Sequence, residues 1–277
     1  MLTVDHALIL AADLDQAALA YRRLGFSLTP RGYHQGLGSA NHTIMLKETY
    51  LELLGILDPE AARERWSHLT RKGPGLRALA YRSRDARADR AALVSRGVEA
   101  RPVVDFSRPV PGPDGGEARF SLSDLPERAM SVLPGFLCQH HTPELVWRRG
   151  YLLHPNSAVR LVGCTVAATR PAAAALEFER VLGRARVHPH PGGMAVDLGS
   201  TRLWLVEPGY ARRRLGHAFP DGEPNQPLGL SVEVLSLGAA RAALAAGGVP
   251  FAPFGSHSII VGPTWTAGIY LEFLALG

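Results

Sequence analysis

The sequence predicts an α+β fold assembled from four copies of one βαβββ unit. Three observations carry that expectation. Helical periodicity and strand alternation recur in the same order four times along the 277 residues. The separation of 19 residues from His6 to Gly25 returns between Cys164 and Gly183. The segment Tyr50-Leu51-Glu52-Leu53-Leu54 also has an echo near the C-terminus, Tyr270-Leu271-Glu272-Phe273-Leu274.

Unit one opens with a strand over 4–12. A helix follows over 14–25, because Leu14, Ala17, Ala18, Tyr21 and Leu24 share one helical face. Asp13 or Asp15 caps its start and Gly25 marks its stop. Strands are expected over 26–34, 42–47 and 49–57. Unit two has a strand over 75–83, a helix over 86–97, and strands over 98–106, 118–125 and 130–141. The Pro/Gly-rich stretch 109–116 reads as a loop. Unit three has a strand over 159–169. Its helix runs over 171–183, with Pro171 in the first turn and Gly183 at the stop. Strands then cover 184–190, 193–199 and 201–207. Unit four repeats the order over 228–236, 237–248, 249–254, 258–263 and 268–276. The stretch 142–159, with Pro143, Pro155 and Asn156, is the expected linker, giving domains 1–147 and 148–277.

Composition excludes several classes. Nothing approaches the apolar length that crosses a bilayer, and the N-terminus lacks the basic start of a signal peptide. A cytoplasmic protein is expected. Lys47 and Lys72 are the only lysines beside 28 arginines, and the net charge is +5. The arginines are scattered, with the densest run at Arg212-Arg213-Arg214. No basic stripe marks a nucleic-acid partner. Cys138 and Cys164 read as buried reduced thiols. Gly36-Leu37-Gly38 and Gly192-Gly193 lack phosphate-loop context, and no nucleophile elbow is present.

The opening Asp5-His6-Ala7-Leu8, the helix stop Leu24-Gly25-Phe26 and the closes Tyr50–Gly55 and Gly268–Phe273 resemble the vicinal oxygen chelate superfamily, and within it the glyoxalase-like domain group. The resemblance implies two pairs of units, each curled into a half-barrel. It leaves open whether halves pair within a chain or between the copies of a homodimer. It also implies a divalent metal, with zinc, iron, manganese and nickel all compatible, and a small substrate that chelates it through neighbouring oxygens. The reaction expected is of lyase/isomerase or dioxygenase type. The alternative is a metal-free binding or sequestering protein of the same fold.

The implied ligands are His6 and Glu52. A carboxylate on a mostly apolar strand is costly unless paired or metal-bound, and a strand His without this context is more often a satisfied core residue. In unit two the first-strand position falls near Ala78, which cannot ligate. Gln139 aligns with Glu52, and a slip of one residue selects His140, so the third ligand is expected at His140 or His141. Two histidines and one carboxylate suit non-haem iron or zinc. Glu52 or His42 is the candidate proton carrier, and His34 invites the bland reading of a structural histidine. The second half reads as degenerate. Cys164 and Val232 stand at the His6 position, Trp204 at the Glu52 position, and Trp204 and Trp265 line an expected metal-free pocket. His188 and His190, flanked by prolines, read as loop residues.

Overall fold

A computed structural model describes residues 2–110, 115–215 and 225–275. Residues 111–114 of the expected loop lie outside the described residues. The first sheet contains β1 (Thr3–Leu10), β2 (Gly32–His34), β3 (Ser39–Met45), β4 (Tyr50–Ile56), β5 (Gly75–Arg82), β6 (Val104–Val110), β7 (Gly116–Leu125) and β8 (Gly135–His140). Its order is β2-β3-β4-β1-β5-β8-β7-β6. The second contains β9 (Ala158–Ala167), β10 (Val187–His190), β11 (Gly193–Asp197), β12 (Arg202–Val206), β13 (Gln226–Val234), β14 (Ala252–Pro253), β15 (Ser258–Val261) and β16 (Tyr270–Leu274). Its order, β10-β11-β12-β9-β13-β16-β15-β14, reproduces the first. The four-unit α+β architecture is therefore present. Within each unit the first and last strands run parallel, and consecutive units join through their antiparallel first strands.

Each repeat helix sits where its periodicity and caps put it. They are α1 (Leu14–Arg23), α3 (Ala86–Ser95), α4 (Pro171–Leu182) and α6 (Leu237–Ala246). Asp13, not Asp15, caps α1 by accepting from two backbone N–H groups, and Asp85 does the same for α3. All four helices feed one continuous core that also takes one face of both sheets. Phe178 of α4 and Phe273 of β16 are fully buried in it, and the Phe26 and Phe273 rings stack at 5.8 Å. Tyr21 Oη donates to Thr266 O across the two halves at 3.1 Å. The linker is clasped as well. His154 bridges Ser27 N and Met45 O, and Asn156 Nδ2 donates to Leu24 O.

Two helices fall outside the expected pattern: α2 (Pro59–Thr70) and α5 (Pro208–Leu215). Each packs on the other face of its sheet, the inside of the cup. Ala62, Trp66 and Leu69 of α2 join one inner cluster, and Ala211 of α5 joins the other. The second strand of unit two starts later than its pattern, at Val104 rather than 98. His188 and His190 lie on β10, paired with β11, rather than in a loop. Both cysteines are buried thiols outside any disulfide. Among the described residues no helix is long and apolar enough to cross a membrane.

Candidate metal centre

Alternation sends Ala7 and Ile9 of β1 into the shared core and Leu8 and Leu10 into the first cup. Asp5 breaks that alternation. The pairing of β1 with β5 passes from Val4 to His6, leaving Asp5 as a bulge. The bulge lets Asp5 and His6 stand side by side. Asp5 Oδ1 accepts from His6 Nδ1 at 2.8 Å and from His140 Nε2 at 2.9 Å. Arg82 Nε donates to Oδ2 at 2.9 Å.

With Nδ1 held, His6 Nε2 faces Glu52 Oε2 at 3.4 Å. Asn41 Nδ2 donates to Glu52 Oε1 at 2.6 Å, and His34 Nε2 lies 3.9 Å from that oxygen. His34 Nδ1 bonds Ser39 Oγ, which also takes the Trp66 Nε1 hydrogen bond from α2. Tyr50 stacks on His6 with centroids 4.2 Å apart. These groups line a cavity of about 40 Å³ that also touches Arg108 and Cys138. That volume holds an ion and one or two waters, not a substrate.

The cluster is strongly polarised. Burial disfavours the His6 cation, but hydrogen bonds to Asp5 and Glu52 outweigh it and raise its pKa to about 9. Burial likewise opposes the Glu52 carboxylate, yet His6, His34 and Asn41 hold its pKa down at about 2. Asp5 is fully buried and is held ionised by His140 and His6 against its desolvation. Burial lowers the Arg108 pKa, while its charge is favoured by Tyr50 and Glu52.

A pH dependence follows. The stability lent by charged His6 is fully present below its unfolded pKa near about 6.5. It is lost as pH rises through about 9. The Glu52 contribution is complete above about 4.3 and is lost as pH falls through about 2. Urea midpoints of metal-free protein should therefore fall from about pH 6.5 to about pH 9, and His6→Gln should flatten that slope. A level wild-type profile over that range would contradict this electrostatic picture.

The other sequence candidates are dispersed. His140 shares the cup face of β8 but reaches Asp5, not Glu52. His141 turns to Ser121 Oγ at 2.7 Å, and Gln139 accepts from Ala86 N at the start of α3. His42 stands opposite Leu53, a shared-core residue, and bonds Thr29 O at 2.8 Å, so it lies on the far side of β3 from Glu52. The second imidazole beside Glu52 is His34. Among the described residues, Asp5, Cys138 and His140 are the group of three that brings its donor atoms within 4.8 Å of one another. Asp5 already takes three hydrogen bonds there, one from the cationic Arg82, so this trio reads as support for His6.

The bulges align the four units. Arg77, Val162 and Leu228 are skipped in pairing as Asp5 is. The residues after them, Ala78, Gly163 and Gly229, stand where His6 stands. The partner of Leu8 is Glu52, and the matching partners are Phe136, Trp204 and Glu272. This register corrects Cys164 to Gly163, Val232 to Gly229 and Gln139 to Phe136. Trp265 is not in the second cup. It packs against the shared core, with the Arg23 guanidinium 4.7 Å above its ring.

Comparisons with known proteins agree with the fold. The family described as "Glyoxalase-like domain" matches residues 4–182. No curated protein sequence matches the chain. A hypothetical protein from Staphylococcus aureus superposes with a TM-score of 0.74 at 13% identity, covering 100% of both chains. A mutant 4-hydroxymandelate synthase from Streptomyces coelicolor gives 0.61 at 14% identity, covering 99% of this chain and 93% of that one. A xylose isomerase-like TIM barrel/4-hydroxyphenylpyruvate dioxygenase fusion protein gives 0.61 at 14%, covering 99% of this chain and 48% of the fusion. At these identities the likeness is one of fold.

Proposed function

The chain belongs to the glyoxalase-like domain family, and from that premise we propose a metal-dependent enzyme of the vicinal oxygen chelate type, with His6, Glu52 and His34 as protein ligands. The observation that carries the reading is the convergence of two Nε2 atoms on one carboxylate, with each Nδ1 already engaged. A hydrogen-bonded Nδ1 fixes the tautomer that leaves Nε2 for a metal. Donors about 2.1 Å from a tetrahedral ion lie about 3.4 Å apart, matching the 3.4 Å between His6 Nε2 and Glu52 Oε2. Two imidazoles and a carboxylate suit zinc or non-haem iron.

When bound, such an ion supplies a Lewis acid for two neighbouring substrate oxygens. The chain's own residues do the rest. Asn41 fixes the Glu52 carboxylate. Glu52, with its pKa near 2, suits an anionic ligand better than a base working near neutrality. Arg108 supplies a cation for an acidic substrate group. Trp66 of α2 and Leu37 also line the cavity, which has to widen to admit a substrate beside the ion. The substrate class is a small molecule with vicinal oxygens, and the reaction is of lyase/isomerase or dioxygenase type.

Metal analysis of purified protein tests this. The expected result is one equivalent in wild type, lost in His6→Ala, Glu52→Ala and His34→Ala and kept in His141→Ala. Wild-type protein that holds no metal after loading with zinc, iron, manganese or nickel would leave the metal-free binding reading in its place.

A further inference from the structure

The second cup is larger than the first and is lined by different chemistry. Its cavity is about 250 Å³, close to the lower end of small-molecule sites. The floor comes from the inner strands: Thr165 of β9, Gly229 and Ser231 of β13, and Glu272 of β16. Ser231 Oγ donates to Glu272 Oε2 at 2.6 Å. Of the four first- and last-strand positions in this cup only Glu272 can ligate, and with His190 as the one imidazole among the described residues of the lining a resident metal would have one protein donor fewer than in the first cup.

The walls are aromatic. The His190 and Trp204 rings lie 4.5 Å apart, and Tyr210 of α5 sits 5.8 Å from His190. Among the described residues His190 Nδ1 is buried without a hydrogen-bond partner, an expense that a site for a polar ligand explains. Burial, with Arg214 and Arg202 nearby, keeps His190 below its usual pKa. Arg214 lies over Phe254 at 4.7 Å. His190 is on β10 and Phe254 follows β14, the two opposite edges of the sheet. Arg214 therefore spans the mouth, with its cation at the rim and the Glu272 carboxylate at the floor.

We propose that this cup is a second, metal-free binding site for a small planar aromatic acid bearing a hydroxyl donor at its far end. The carboxylate pairs with Arg214, the ring lies along Trp204 and Tyr210, and the hydroxyl donates to Glu272. His190 Nδ1 gains a polar partner from the ligand. The arrangement selects for both ends at once. An acid without the donor leaves the Glu272 carboxylate unanswered, and a phenol without the acid leaves Arg214 unpaired.

Isothermal titration calorimetry with 4-hydroxybenzoate tests the site, with benzoate and phenol as single-end controls. The expected result is saturable one-to-one binding to wild type, weakened at least about tenfold in Arg214→Ala and for either control ligand. Trp204→Phe should remove the fluorescence response that accompanies binding. Glu52→Ala should leave the affinity unchanged, which separates this site from the first cup and from the fate of the metal reading. Absence of binding at millimolar ligand, equal affinity for benzoate, or loss of binding in Glu52→Ala with Arg214→Ala unaffected would overturn the proposal.

Discussion

Asp5→Ala should cost about 3–5 kcal/mol of folding stability, the loss typical when one partner of a buried charge network is removed. Asp5 is fully buried and holds His6, His140 and Arg82 together. Without it His6 keeps Glu52 but loses its second anion, and His140 loses its carboxylate partner. Urea denaturation of the metal-free protein reads the effect directly. The same variant should bind metal about 10–100-fold more weakly, because the His6 tautomer is no longer fixed. Asp5→Asn should recover part of the stability, since the amide oxygen still accepts a hydrogen bond. A stability loss under about 1 kcal/mol in Asp5→Ala would mean that the buried network is not what the geometry implies.

Phe273→Ala should cost about 3–5 kcal/mol, as for other fully buried aromatic truncations. Phe273 belongs to the second sheet, yet its ring stacks on Phe26 of the first half inside the common core. The expected domains 1–147 and 148–277 should therefore unfold together. Trp66 and Trp147 report on the first half and Trp204 and Trp265 on the second, while circular dichroism reports on all. Wild-type transitions by the two probes should coincide. Two separated transitions, or a Phe273→Ala variant that melts only the second half, would show that the halves are energetically independent.

The repeat was legible because each unit writes its own punctuation. Asp13, Asp85 and Pro171 start helices where periodicity begins, and Gly25 and Gly183 stop them. The helices α2 and α5 were missed because they lie between units, where the repeat gives no expectation. The signal was nonetheless present in Asp58-Pro59, an N-cap followed by proline at the first turn. His6 and Glu52 were legible as a pair. Their surroundings were not, for one physical reason. Alternation assumes an unbroken pleat, and it assigns Asp5 and His6 to opposite faces. The bulge at Asp5 puts them together, and no residue type in the sequence announces a bulge there. His34 escaped because its strand is three residues long, too short for a pattern. His140 and His141 attracted attention as a histidine pair, but the register puts Phe136 at the ligand position and carries them past it.

The shared bulge governs where a further donor side chain can be accommodated. Every unit keeps the backbone of a ligand socket, but the sockets differ in how far they are from refilling. Ala78 is one substitution from an imidazole on a backbone that already has the right offset. Gly229 is not. A Cβ there would come within 2.2 Å of Tyr270 O, a backbone atom that no rotamer can move. Strand β16 closes over position 229, so unit four has no room for a side chain there, while unit two already carries one at position 78. A further donor can therefore be added to the first cup at position 78, whereas at position 229 of the second cup the backbone itself stands in the way.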